Sequence, residues 1–584
     1  MHCHQAPTYL AALGRRMALP ALVAFVVTAP SPVLAAWPAD PTVNVPVCAM
    51  VQDQQFPAVL RDGAGGVFVV WQDYRDSSEY KIYAQRLSAN GVPQWGTNGI
   101  PICSSSGDQL VPHIATDGAG GAIVTWNDAR AVLTDIYAQR LSPGGDLLWA
   151  AAGVPLCQAS GPQHDETLIP DGAGGAIVVW WDRRDDAASV IGDIYAQRVS
   201  ASGVVQWTSD GVPICVAAGS QQYPAIAADA TGGAIITWVD ARNGGTNRDI
   251  YAQRIASDSG GLWATNGVAL CSAANDQTTA TIASDGAGGA IVSWEDTRTG
   301  IDETYAQRIS PAGIVQWAAN GVAVSNGAGA ELLPTILADG TGGAIVTWVD
   351  TRQYPSSQMD IYAQRLSSAG LPQWGAGGVV VCDFTGDQFY PALTSDGAGG
   401  AIVAWEDHRD GVGSDIYARR VTAAGAVLWG SATRGVAIST ATDLQFFPVI
   451  ARDDSGGAII SWQDNREGTT DIYAQRIRSN GQLGSPTVGV SNEADVSFSL
   501  EAVHPNPARG TRLSVRFSLP RPGSTSLELL DVAGRRVAGR ELDVLGAGRH
   551  TLELNVGTPV APGLYLVRLR QGTNERLMRV AMLK

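Results

Sequence analysis

The sequence predicts an all-β chain: an eight-bladed β-propeller of four-stranded blades closed by an N-terminal strand, followed by a small β-sandwich. Three observations carry this. The element W-x-D-x-R recurs at Trp71, Trp126, Trp180, Trp238, Trp294, Trp348, Trp405 and Trp462, at spacings of 54 to 58 residues, and periods of this size mark solenoids, propellers or arrays. Within each copy apolar and β-branched residues alternate as in strands, while 68 glycines and 30 prolines interrupt the chain too often for helices. The last copy lacks one strand, and the N-terminus holds a segment of the missing kind.

Taken in order, residues 1–36 read as a secretory signal. Arg15 and Arg16 precede an apolar run from Met17 to Val27, and small residues follow near Ala35. The run is shorter than the roughly 20 residues a spanning helix needs. The twin arginines leave Sec and Tat export both open. Residues 37–487 form the propeller. In the fourth copy a first strand at Pro224 to Ala227 turns at Gly232 and Gly233 into Ala234 to Trp238. A variable loop leads to Asp249 to Ile255, and a turn at Gly260 leads to Trp263 and a last segment, Gly267 to Cys271. Four short antiparallel strands make one blade. The eighth copy stops after Gly481, whereas Val43 to Cys48 matches Gly211 to Cys215. The N-terminal segment is therefore expected to complete blade eight and remove the free edges.

Two repeat families share this pattern. Pro391 to Gly397, Ala401 to Trp405 and Asp415 to Tyr417 resemble the TolB-type repeat. Tyr83 to Trp95 is similar to the tryptophan repeat of eight-bladed quinoprotein dehydrogenases. Both resemblances imply a propeller, and the second implies eight blades. Quinoprotein chemistry is not expected, because the vicinal cysteine pair of those enzymes does not occur here.

After a linker, residues 488–496, the composition shifts. From Asp495 onward there are 13 Lys and Arg against 8 Asp and Glu, in a chain of net charge −16. About seven short strands over residues 497–584 suit a β-sandwich. His504 to Pro507, Val515 to Leu519, Leu530 to Arg535, Gly548 to His550, Gly563 to Leu566 and Met582 to Lys584 resemble, in order, the C-terminal sorting domain of type IX secretion substrates and its FlgD-like immunoglobulin-type relative. The resemblance implies export by an outer-membrane machinery and a secreted or cell-surface location in a bacterium.

Several repeated residues read as scaffold. Cys48, Cys103, Cys157, Cys215, Cys271 and Cys382 occupy one place in the repeat. Disulfides need Cα atoms within about 7 Å, closer than outer strands of neighbouring blades approach, so buried free thiols are expected. Val324 and Ile438 are read as their counterparts in the other two blades, making the slot apolar. The Asp and Arg of W-x-D-x-R are expected to tie the second strand to the third, since an active site is assembled once and not eight times. The D-G-x-G-G runs read as hairpin turns, because strands follow them where a phosphate loop requires a helix.

Function is expected where the copies disagree, on the rim carrying the loops between second and third strands and between blades. The candidates are Tyr74, Arg183, Asp185, Asn243, Tyr354 and His408 from the former, and Gln54, Gln109, His164, Tyr223 and Tyr390 from the latter. Carboxylates, amides and aromatics around one mouth suit an extracellular glycan or protein ligand. The chain reads as a non-catalytic, monomeric binding module with no cofactor, no metal and no catalytic residue. The alternatives are a polysaccharide hydrolase or lyase using carboxylates and His164, His408 or a tyrosine, and a structural surface component. His113 also lies near the rim. Neither H-E-x-x-H nor G-x-S-x-G occurs, and the acidic charge disfavours nucleic acid.

Overall fold

The computed structural model describes residues 37–484 and 498–583, apart from 132, 186–190, 354–357, 431–433, 505, 507, 510–511, 520–522, 546–547, 557–559 and 573. The expected signal segment and the linker at 488–496 lie outside the described residues. Every described element is a strand. β1 is Val45–Cys48 of the closing segment, and the first blade follows as β2 (Gln54–Arg61), β3 (Val67–Asp73), β4 (Lys81–Leu87) and β5 (Ile100–Pro101) in sheet order β2-β3-β4-β5. Eight such antiparallel sheets form the ring, their first strands side by side around a channel, with Gln445–Arg452 of the last blade returning against β2.

Closure takes the expected route. β1 pairs antiparallel with Asp471–Ile477, placing Val45 opposite Ala474. Buried Asn44 clasps the joint, donating to the Ile438 carbonyl at 3.0 Å and accepting from Ser439 Oγ at 2.9 Å and Arg466 at 2.7 Å.

The apolar cores sit between neighbouring blades. Trp37, Val45 and Ile472 of the last blade pack with Val67, Val69 and Trp71 of the first. All eight W-x-D-x-R tryptophans are fully buried. Trp71 Nε1 donates to Asp73 Oδ2 at 2.8 Å, Arg75 Nε donates to Asp73 Oδ1 at 2.8 Å, and the guanidinium lies 3.7 Å from the Tyr83 ring on β4. The expected tie to the third strand is therefore a cation–π contact, with the carboxylate clasping its own strand end.

The same guanidinium reaches the preceding blade, where Arg75 Nη2 lies 3.3 Å from Cys48 Sγ. The six described cysteines are free and buried. One expectation is corrected here: Ser325 and Ser439 hold this slot in the other two blades, not Val324 and Ile438. Arg352 donates to Ser325 Oγ at 3.2 Å and Arg466 to Ser439 Oγ at 3.3 Å. The slot is a polar socket for an arginine, and a thiol serves as the weaker partner.

A second repeated pair completes the scaffold. Asp62 of the D-G-x-G-G turn accepts from the amides of Ala64 and Gly66, both at 2.8 Å, and from Arg86 Nε at 3.0 Å. Arg86 also donates to the Pro143 carbonyl of the next blade at 3.0 Å. Gly66 has no room for a side chain, since a Cβ would collide with the Leu87 carbonyl.

Residues 498–583 form two sheets, one of Ser499–His504, Arg512–Leu519 and Gly548–Asn555, the other of five strands including Gly523–Leu530, Gly563–Gln571 and Asn574–Leu583. Phe517 and Leu513 of the first pack against Leu527, Val567 and Val580 of the second.

Candidate functional site

The channel mouth is built by one irregularity repeated eight times. Near its start each first strand slips register against the second, as between Gln55 and Ala58 in β2. At the slip one residue takes a left-handed conformation: Phe56, Val111, Asp165, Tyr223, Thr279, Leu333, Tyr390 and Phe447, all with φ between 49° and 53°. Bulges re-aim side chains, and in β-branched or bulky residues this backbone is a true outlier. The preceding blade supports it by accepting the amide proton. Val111 N donates to Gln72 Oε1 at 3.0 Å, Leu333 N to Glu295 Oε1 at 2.6 Å, and Phe447 N to Glu406 Oε2 at 3.3 Å.

The mouth has two poles. Leu333, Tyr390, Phe447, Phe56 and Val111, on five consecutive blades, make an apolar arc lining a cavity of about 530 Å³. Asp165, Tyr223 and Thr279 make a polar arc, and with His113, Glu166 and Arg248 they line a cavity of about 800 Å³. The two cavities share Val111, His113, Thr279 and Thr281.

The polar arc owes its ionisable groups to departures from the repeat in blades two and three. After the bulge residue the copies carry Pro57, Pro112, Glu166, Pro224, Ala280, Pro334, Pro391 and Pro448, then Ala58, His113, Thr167, Ala225, Thr281, Thr335, Ala392 and Val449. Glu166 is 1% exposed, and neither of its carboxylate oxygens has a hydrogen-bond partner among the described residues. His113 Nδ1 stands 3.6 Å from Glu166 Oε1, an electrostatic approach longer than a hydrogen bond, while the imidazole is 39% exposed to the channel.

Burial raises the Glu166 pKa, with His113 opposing. Asp165 opens onto the channel, yet the surrounding walls exclude enough water to raise its pKa too, against the pull of His164 and His113. Burial lowers the pKa of His164, whose ring lies 6.1 Å from Trp181. Arg248 is held by Asp276 at 2.8 Å. Asp165, Glu166 and His113, in different surroundings, thus share one cavity, a setting in which acid–base chemistry can operate.

The expected rim residues divide. Tyr223 and Tyr390 lie in the mouth itself. His164 stands behind it, and His408 pairs with Glu406 at 2.8 Å beside Phe389. Tyr74 packs on Tyr80 at 4.7 Å, Arg183 lies 5.5 Å from the Trp181 ring, Asn243 bonds Asp249 at 2.7 Å, and Asp185 is exposed, all farther out along the loops. Gln54 and Gln109 are fully buried and do not face a ligand. Gln54 accepts from Met50 N at 3.3 Å, and Gln109 accepts from Ile82 N at 3.2 Å. Tyr354 lies outside the described residues. Asp165 and Glu166 adjoin the expected His164 in its rim segment and His113 is expected near the rim, but none of the three is singled out as a binding residue, although the repeat columns mark Glu166 and His113 as departures.

No family profile and no curated protein matches the sequence. Among solved structures, an α-L-arabinofuranosidase of Fusarium graminearum with arabinobiose shares 10% identity at a TM-score of 0.32, over 75% of this chain and 97% of its own. An α-L-arabinanase of Penicillium chrysogenum with arabinobiose shares 12% at 0.30, over 55% and 92%. An endo-arabinase from Bacteroides thetaiotaomicron shares 17% at 0.26, over 46% and 98%. These structures are named as glycan-cleaving enzymes, against the expectation of a non-catalytic binding module, which is not carried further. At such distances they supply no residue and no substrate for this chain.

Proposed function

We propose that the propeller hydrolyses a polysaccharide at the channel mouth. One observation carries the reading: the ionisable residues Asp165, Glu166 and His113 gather in one cavity because a single joint of the ring departs from the repeat. Asp165, with its pKa raised by the channel walls, donates a proton to the glycosidic oxygen as the bond to the sugar carbon breaks. His113 takes a proton from the attacking water through Nε2, while Glu166 behind Nδ1 stabilises the imidazolium that forms. Water's oxygen ends on the sugar carbon and the donated proton on the leaving group. Tyr223 and the threonines of the polar arc supply a wall and hydroxyls for sugar contacts.

The test is release of reducing ends from a panel of neutral and acidic polysaccharides. The wild type is expected to cleave at least one, and Asp165→Asn to lose about 10²- to 10⁴-fold in rate. No release from any member of the panel, or an unchanged rate in the variant, overturns the reading.

We likewise propose that residues 497–584 serve export and that the protein works outside the cell. The motif order from His504 to Lys584 and the apolar segment at 17–27 support this.

A further inference from the structure

The apolar arc calls for its own account. Phe56, Tyr390, Phe447 and Val111 are between 37% and 45% exposed, and all sit on left-handed backbone. Large apolar side chains held in an outlier conformation and left facing water are unfavourable twice over, and strained, exposed groups of this kind cluster at ligand clamps. The strain is a property of the bulge, since it recurs in every blade. The choice of side chain is not, because Asp165 and Thr279 occupy the same position without an apolar group. The rings also brace one another: Tyr390 meets Phe447 edge-on at 4.7 Å, and Phe447 meets Phe446 at 5.3 Å.

We propose that this arc is a binding subsite for an uncharged stretch of the glycan chain whose scissile bond lies at Asp165. The inference rests on the hydrolase reading and adds the substrate class: a neutral polysaccharide, gripped several sugar units away from the bond that breaks. Three features select this occupant. Each cavity alone has the size of a site for a drug-sized ligand, roughly 300–1,000 Å³, and the two are continuous through Val111, His113, Thr279 and Thr281, so an extended chain fits better than one sugar. Aromatic faces suit the C–H faces of sugar rings, with their apolar surface and few polar demands. The charges lining the polar cavity are Asp165, Glu166, His113 and an Arg248 already paired with Asp276. A polyanionic glycan would meet two carboxylates and no unengaged arginine or lysine there.

The experiment uses Tyr390→Thr, Phe447→Thr and the double variant in the full chain. Threonine is chosen because Thr279 occupies the same backbone position, which protects folding. Kinetics are read on the neutral polysaccharide that the wild type cleaves and on its oligosaccharides of increasing length, and oligosaccharide binding to wild type and to Asp165→Asn is read by calorimetry. For long chains each single variant is expected to raise KM about 3- to 10-fold with kcat little changed, while the shortest cleaved oligosaccharides show no effect. Polygalacturonate is expected not to compete.

Equal KM for variants and wild type at every chain length, or tighter binding of polygalacturonate than of neutral chains, overturns the subsite and leaves the hydrolase reading standing. If no glycan is cleaved the hydrolase reading fails. Length-dependent binding lost in Phe447→Thr then still supports the subsite, and its absence removes it.

Discussion

Position 166 holds a glutamate where six of the other seven blades hold proline and the seventh holds Ala280. A buried carboxyl with no hydrogen-bond partner costs stability, so the residue is explained by chemistry and not by packing. Glu166→Pro separates the two. The bulged backbone is common to all eight blades, so proline is expected to be accommodated, to reduce the entropy of the unfolded chain, and to remove an unsatisfied carboxyl. A stability gain on the order of 1 kcal/mol is expected from thermal or denaturant unfolding. Hydrolysis is expected to fall at least about 100-fold, because His113 loses the group behind its Nδ1. A variant that is both more stable and equally active would remove Glu166 from the mechanism. The same column logic shows what was readable beforehand. Gln54 and Gln109 are expected at the rim, yet seven copies carry Gln at that place and the eighth carries Glu331, and identity across copies marks scaffold. Glu166 and His113 differ from their columns, and because they lie within first strands only the structure shows that the two meet in one cavity.

At the level of the blade, the strand order and the hairpin turns were legible because each is written eight times, and the closing role of β1 because the eighth copy lacks the strand that Val43 to Cys48 supplies. The partnerships between repeated polar residues were legible only in part. Asp62 with Arg86, and Arg75 with the socket at Cys48, join residues 24 and 27 positions apart, and such pairings depend on register, which composition and periodicity leave open. Val324 and Ile438 lie one place before the slot that Ser325 and Ser439 fill, so a shift of one residue makes a polar socket read as apolar. The socket has a testable consequence. Between the third and fourth blades, Arg242 Nη2 lies 3.3 Å from Cys215 Sγ, and burial pushes this thiol up to about 12. Cys215→Ser places there the hydroxyl that Ser325 and Ser439 already supply and is expected to change stability by less than about 1 kcal/mol. Cys215→Val sets methyl groups against Asp240 and Arg242 and is expected to cost about 1–3 kcal/mol. Chemical unfolding of the two variants decides the matter, and equal stabilities would mean that the slot is apolar after all.

Across the whole ring the scaffold carries an electrostatic load that the net charge of −16 only hints at. Opening each third strand is an acidic residue or, in the first blade alone, Lys81. Burial, with neighbouring carboxylates second, raises Asp135, Asp193 and Asp415 to about 6, and burial with Glu467 beside it raises Asp471 to about 7. Burial likewise lifts Glu331 to about 7. Each of these groups binds its proton more tightly folded than unfolded. Between about pH 4 and the folded pKa the native state holds more protons than the unfolded chain, so stability falls as pH rises and the loss is complete above about pH 7. Asp229, Asp276 and Asp339, whose hydrogen bonds lower their pKa, act in the other direction and only below about pH 4. His164, lowered by burial, opposes the trend as a single group. The propeller is therefore expected to be most stable near pH 4 to 5 and to lose on the order of a few kcal/mol by pH 8. In Asp471→Asn the part of that loss due to one carboxylate, on the order of 1–2 kcal/mol, should disappear. The variant is then more stable than the wild type at pH 8, and the two converge near pH 4. Melting curves across this range test it, and a wild type whose stability rises from pH 5 to pH 8 would mean that these carboxylates ionise in the fold as freely as in the open chain.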